Sequence, residues 1–152
     1  EKFDLSRYLY VSVLMVGVVG QYLGGQIADR IRPEQGLLIG LGSLAVLALL
    51  FIPARSGVVP LVVVSLLLGV MLFSLQPLSQ ATVATYSPPG GRGLSFGYTY
   101  LAIFGVGALG AGIAGTVLTL ASGRLLFIIL AGFASVSALA AAATIRFGTP
   151  RE

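Results

Sequence analysis

Charged side chains in this chain lie only at the ends of long apolar runs, and within the runs the apolar residues neither alternate as in a strand nor stripe one face of a soluble helix. Five stretches carry no charge at all: Tyr8 to Ala28, Gln35 to Ala54, Ser56 to Gly91, Gly93 to Gly123 and Leu125 to Ile145. A hydrocarbon core ~30 Å thick takes about 20 helical residues to cross, so each stretch is long enough to span a bilayer. Backbone groups left unpaired in lipid cost several kcal/mol each, which predicts helices, whose hydrogen bonds close within the segment. The spans are predicted at about 7–28, 35–53, 59–86, 93–121 and 125–146.

The breaks agree with this reading. Asp29, Arg30, Ile31, Arg32, Pro33 and Glu34 form a short polar loop, with Pro33 suited to the start of the next helix. Pro53, Arg55, Ser56 and Gly57 make a tight turn, and Ser87, Pro88, Pro89, Gly90 and Gly91 form the strongest breaker cluster. Ser122, Gly123 and Arg124 turn the chain into the last span. The predicted fold class is all-α, a polytopic membrane helix bundle of five transmembrane helices in a single domain, residues 1–152.

Composition supports lipid as the solvent: 9% of residues are charged, where a soluble domain has about 25%, and mean hydropathy is +1.00. The net charge of +4 comes from basic residues scattered singly between apolar spans, which form no patch for nucleic acid. The absence of cysteine and histidine removes disulfides, thiol nucleophiles, imidazole bases and the usual zinc and haem ligands, so no metal or cofactor is expected. An intramembrane hydrolase would be left with a Ser and Lys pair, and Lys2 lies outside the spans, so no enzyme is expected. The chain opens at Glu1 with no initiator Met, basic leader or small-residue cleavage site, which predicts a piece of a longer reading frame.

Five spans place the two ends on opposite sides of the membrane. Lys2, Arg7, Arg55 and Arg124 fall on one side, and Arg30, Arg32, Arg92, Arg146 and Arg151 on the other, with the longer loops and the tail. The second side is taken as cytoplasmic, and the carboxyl terminus with it. Within lipid, helices gain contact by close approach through small residues. Gly20 with Gly24, Gly36 with Gly40 and Gly93 with Gly97 are four apart, and Ala108 with Gly112 and Ala111 with Gly115 continue the theme. These residues serve interhelical packing, or else Gly105, Gly107, Gly110, Gly112 and Gly115 make the fourth helix bendable.

At the end of the first span stand Gly25, Gln26, Ile27, Ala28, Asp29 and Arg30. This run resembles the loop signature G-x-L-A-D-R-x-G-R-R of the major facilitator superfamily. It departs from the pattern where Arg32 replaces the second glycine and where Pro33 and Glu34 replace the basic pair. Gln76, Pro77 and Leu78, then Pro88, Pro89, Arg92 and Gly93, then a glycine-rich span, resemble the family's tenth helix, following loop and eleventh helix. The third span has no embedded arginine, and Gly110 is followed by Ala111 where antiporter-type members carry Gly-Pro in the fifth helix. Both departures favour the second half of the fold, helices eight to twelve.

The resemblance implies a secondary transporter whose two halves rock about a midplane cavity. The missing N-terminal half would be this chain's partner, together with the bilayer, the expected bacterial inner membrane, and a small-molecule substrate. It also places a gating carboxylate at Asp29. Asp29, Arg30 and Arg92 then form a conformational latch, set against a solvated loop whose ion pairs contribute under about 1 kcal/mol.

Gln21, Gln76 and Gln80 are amides inside or near the apolar band that need partners there, and Gln76 and Gln80 share a helix face. With Tyr98, Tyr100 and Phe104 they could line a cavity for an amphipathic or aromatic solute; the alternative is helix bridging and interfacial anchoring. No acid or base other than tyrosine lies within a span, so any coupling acid is expected elsewhere. Family frequency favours a proton-coupled drug or metabolite exporter, with sugar or organic-anion uptake left open. The rival reading is a channel-forming or structural subunit of a larger membrane assembly.

Overall fold

The computed structural model describes residues 2–148. Arg151 of the charge tally lies outside them. Five helices follow one another: α1 (Lys2–Arg30), α2 (Pro33–Ala54), α3 (Val58–Tyr86), α4 (Arg92–Leu120) and α5 (Gly123–Phe147). All five are long and apolar enough to cross a membrane. α1 begins at Lys2, ahead of the uncharged stretch, so its first turns extend past the apolar band.

Each break has a local cause. Pro33 occupies the first turn of α2, where its missing N–H would have been unpaired in any case. α2 ends in a turn closed by the Ser56 N–H and hydroxyl, both donating to the Pro53 carbonyl at 3.1 and 2.8 Å. Ser87 is extended, with ψ of 138°, as the residue before a proline is required to be. The Gly91 N–H then closes a turn on the Pro88 carbonyl at 2.9 Å. Ser122 caps α5, its hydroxyl accepting from the Leu125 N–H at 3.4 Å.

The helices alternate in direction. Arg55, in the α2–α3 turn, lies against Gly123 at the start of α5, so those two turns share one end of the bundle. At the opposite end the Tyr86 ring lies against Gly148, and its hydroxyl donates to Glu34 at 3.4 Å.

The two most extensive seams join helices that are not adjacent in sequence. α1 packs along α3, α2 packs along both α3 and α5, and α1 barely touches α2. The α1–α3 seam is made by glycine: a Cβ at Gly20 would collide with the Val70 carbonyl, and one at Gly24 with the Ser74 carbonyl. Across the same seam Gly17 receives the Phe73 ring and Gly69 receives Val13. The α2–α5 seam buries Ala45 and Ala48 against a helix that buries Ala131, Ala134 and Ala141, and Phe51 stacks on Phe127 with ring centroids 4.0 Å apart.

Apart from Leu78 and Glu34, the buried positions are thus small residues, while large apolar side chains such as Met15, Val18 and Leu139 stand 69–71% exposed. That distribution inverts a soluble core and places the apolar surface in contact with lipid. The molecule is an integral membrane helix bundle. α4 buries no residue and touches only α3 and α5, both lightly.

Candidate functional site

The second half of α3 concentrates the polar side chains of the apolar band. Gln76, Ser79 and Gln80 fall there around Pro77, which has no N–H to offer the Phe73 carbonyl one turn back. The Pro77 ring lies over Gly24 of α1, so the proline sits at a contact with the neighbouring helix.

The two glutamines, one turn apart, reach different helices. Gln21 of α1 donates through Nε2 to Gln76 Oε1 at 3.1 Å. Gln80 donates through Nε2 to the Tyr100 hydroxyl of α4 at 3.4 Å. Tyr100 in turn lies beside Phe104, with ring centroids 6.2 Å apart and planes inclined by 22°. α3 therefore carries an amide ladder whose rungs run to α1 on one side and α4 on the other.

Between α3 and α4 this ladder borders a half-open cavity of about 270 Å³. Gln76, Gln80, Tyr100 and Phe104 line it, and the structure brings these expected residues together in one place. Gln21 stands one hydrogen bond behind the wall. Tyr98 lines no part of the cavity, because a two-residue offset in a helix turns it to the other face. Phe96, Thr99 and Ile103 complete the α4 wall. Sequence reading had not named them, although the spacing of Phe96, Tyr100 and Phe104 by four is the signal of a shared face.

Chemically the cavity offers amide groups, a phenol and aromatic faces, with no formal charge in its lining. Gln76 uses its carbonyl oxygen and Gln80 its amide nitrogen in the bonds above, which leaves the Gln76 N–H groups and the Gln80 carbonyl to a ligand.

At the end of the bundle that carries the α1–α2 turn, Asp29, Arg30 and Arg92 are all exposed and form no ion pair among the described residues. The ion pair there joins Arg32 Nη2 to Glu34 Oε1 at 2.6 Å. Glu34 is 1% exposed, and its Oε2 has no partner among the described residues. The sequence places Glu34 in the polar loop and as a departure from the loop signature, without a role of its own. The legible signal was an acid in the first turn of a helix directly after Pro33, a place the helix dipole favours.

The small residues divide sharply. Gly20 and Gly24 abut α3 backbone, whereas Gly107, Gly110 and Gly115 of α4 have nothing within 4 Å of the position a Cβ would take.

Compared with protein families, residues 5–152 match the model of the Major Facilitator Superfamily. No curated protein and no solved structure matches the chain.

Proposed function

The chain belongs to the Major Facilitator Superfamily, and we propose from this that it forms the second half of a secondary transporter that moves a small molecule by alternating access. By family it is a transporter of the major facilitator type, not an enzyme. The α3–α4 cavity is the part of the solute path that this half contributes. One observation carries that reading: Gln76, Gln80, Tyr100 and Phe104, two from each helix, converge on a single cavity. An uncharged lining of amides and aromatic rings suits a solute with an aromatic or apolar body and a few neutral hydrogen-bonding groups.

In this proposal the five helices correspond to helices eight to twelve and work with an N-terminal half. The protein resides in a bacterial inner membrane with its carboxyl terminus in the cytoplasm, and transport is proton-coupled efflux. The coupling acid is assigned to the other half, since the lining here holds none. Asp29, Arg30 and Arg92 act as a latch that closes against that half in the outward-open state. Their exposure, with no ion pair among the described residues, supports such a contact.

The test is transport by the complete transporter in proteoliposomes, with an imposed proton gradient and a panel of amphipathic aromatic solutes. Gradient-dependent movement of at least one solute, with KM raised in Gln80→Ala, is the expected result. Transport indifferent to Gln76→Ala, Gln80→Ala and Tyr100→Phe alike would remove the cavity from the path.

A further inference from the structure

We propose that the groove enclosed by α1, α2 and α3 binds an anionic phospholipid from the leaflet that holds the α1–α2 turn. This inference rests on the membrane placement of the helices and not on the solute cavity, which lies on the α4 side of α3, and it takes Arg30 in the state in which the proposed latch is open.

The groove arises from the packing order. α1 and α2 both pack on α3 and barely touch each other, so they diverge with α3 as the floor between them. Two cavities lie along α3: one of about 300 Å³ lined by all three helices, and one of about 540 Å³ lined by α2 and α3 alone; they share Ile39, Ser43 and Met71. They are one continuous furrow. Its upper end lies at Gly36 and its lower end reaches Leu47 on α2. Eleven residues of helix rise about 16 Å, close to half of a ~30 Å hydrocarbon core, which is the depth of one leaflet. The walls are almost wholly apolar, and an apolar furrow at this depth takes an acyl chain in preference to water.

Charge selects the headgroup. Arg30 lines the mouth of the furrow, is exposed and forms no ion pair among the described residues. Arg32 follows it in the same turn with its side chain 50% exposed. The carboxylates nearby are Asp29, exposed and unpaired among the described residues, and Glu34, buried and already matched to Arg32. The mouth therefore presents a guanidinium with no ion pair among the described residues, above a slot about one leaflet deep. A basic side chain at an anionic membrane surface is worth about 1 kcal/mol, or about a fivefold preference.

Native mass spectrometry of the purified protein, released from neutral detergent, tests this with phosphatidylglycerol and phosphatidylcholine of identical chains. The expected result is a retained 1:1 phosphatidylglycerol adduct, favoured about fivefold over phosphatidylcholine. Arg30→Gln is expected to erase the preference and Arg30→Lys to keep it. Gly42→Leu is expected to lower retention of both lipids, because Gly42 lines the lower furrow and a Cβ there meets nothing within 4 Å, so the variant fills the slot without straining the fold. The inference is overturned by equal retention of the two lipids, by a preference that survives Arg30→Gln, or by Gly42→Leu retaining lipid as wild type does, as when another helix covers the groove. It is equally overturned if millimolar inorganic phosphate abolishes the preference, which marks a free-anion site.

Discussion

Gln80 and Tyr100 meet at 3.4 Å, and among the described residues theirs is the side-chain hydrogen bond that joins α4 to the rest of the bundle. The contact is long and exposed, so it holds α4 weakly while placing a phenol and an amide at the edge of the cavity.

Tyr100→Phe therefore separates binding from stability. A long, exposed hydrogen bond contributes at most about 0.5 kcal/mol, so thermal unfolding in detergent should be nearly unchanged. Solute transport should show KM raised severalfold at similar kcat. A fall in kcat with KM unmoved would assign Tyr100 to the moving helix and not to the solute.

Gly24→Leu should fail to assemble, whereas Gly110→Ala should be tolerated. At Gly24 a side chain collides with the Ser74 carbonyl, and overpacking a tight seam costs about 1–3 kcal/mol or more. At Gly110 nothing lies within 4 Å, and alanine gains about 0.5–1 kcal/mol of helix stability. Size-exclusion profiles and melting curves of the two variants check the contrast. If Gly110→Ala melts at or above wild type yet transports poorly, α4 must bend or pack against a further helix to work.

Arg32→Ala should destabilise more than the double variant Arg32→Ala with Glu34→Gln. Removing the arginine leaves a carboxylate that is 1% exposed without its cation, at a cost of about 2–3 kcal/mol given that Arg32 itself is half in solvent. The amide in the double variant carries no charge and keeps an oxygen for the Tyr86 hydroxyl. A double-mutant cycle on melting temperature measures this coupling, and additive effects would show that the pair contributes nothing.

Asp29→Asn tests the latch. Asp29 is exposed and unpaired among the described residues, so stability should hold within about 0.5 kcal/mol. Transport turnover by the complete transporter at equal expression should fall. Unchanged kinetics would reduce Asp29 to a solvated loop residue.

Much of the site was legible in the residues. Gln76 and Gln80 share a face because they stand four apart, and Tyr100 with Phe104 does the same on the next helix, so their convergence needed only α3 and α4 to be neighbours. Tyr98, two residues before Tyr100, turns to the other face, which leaves it the interfacial alternative. The burial of Glu34 is not legible in the same way, because no local pattern states which of two nearby acids, Asp29 or Glu34, a third helix will cover.

The sequence by itself determined the number of helices, their approximate ends and their solvent, because span length and charge placement are local quantities that a ~30 Å slab of hydrocarbon reads directly. Which face of each helix turns inward was decided by the tertiary structure alone. In lipid the inside and outside of a bundle are equally apolar, so hydrophobic patterning cannot orient a helix. Close backbone approach does so instead, and it set Gly20 and Gly24 against α3 while leaving Gly107, Gly110 and Gly115 uncovered.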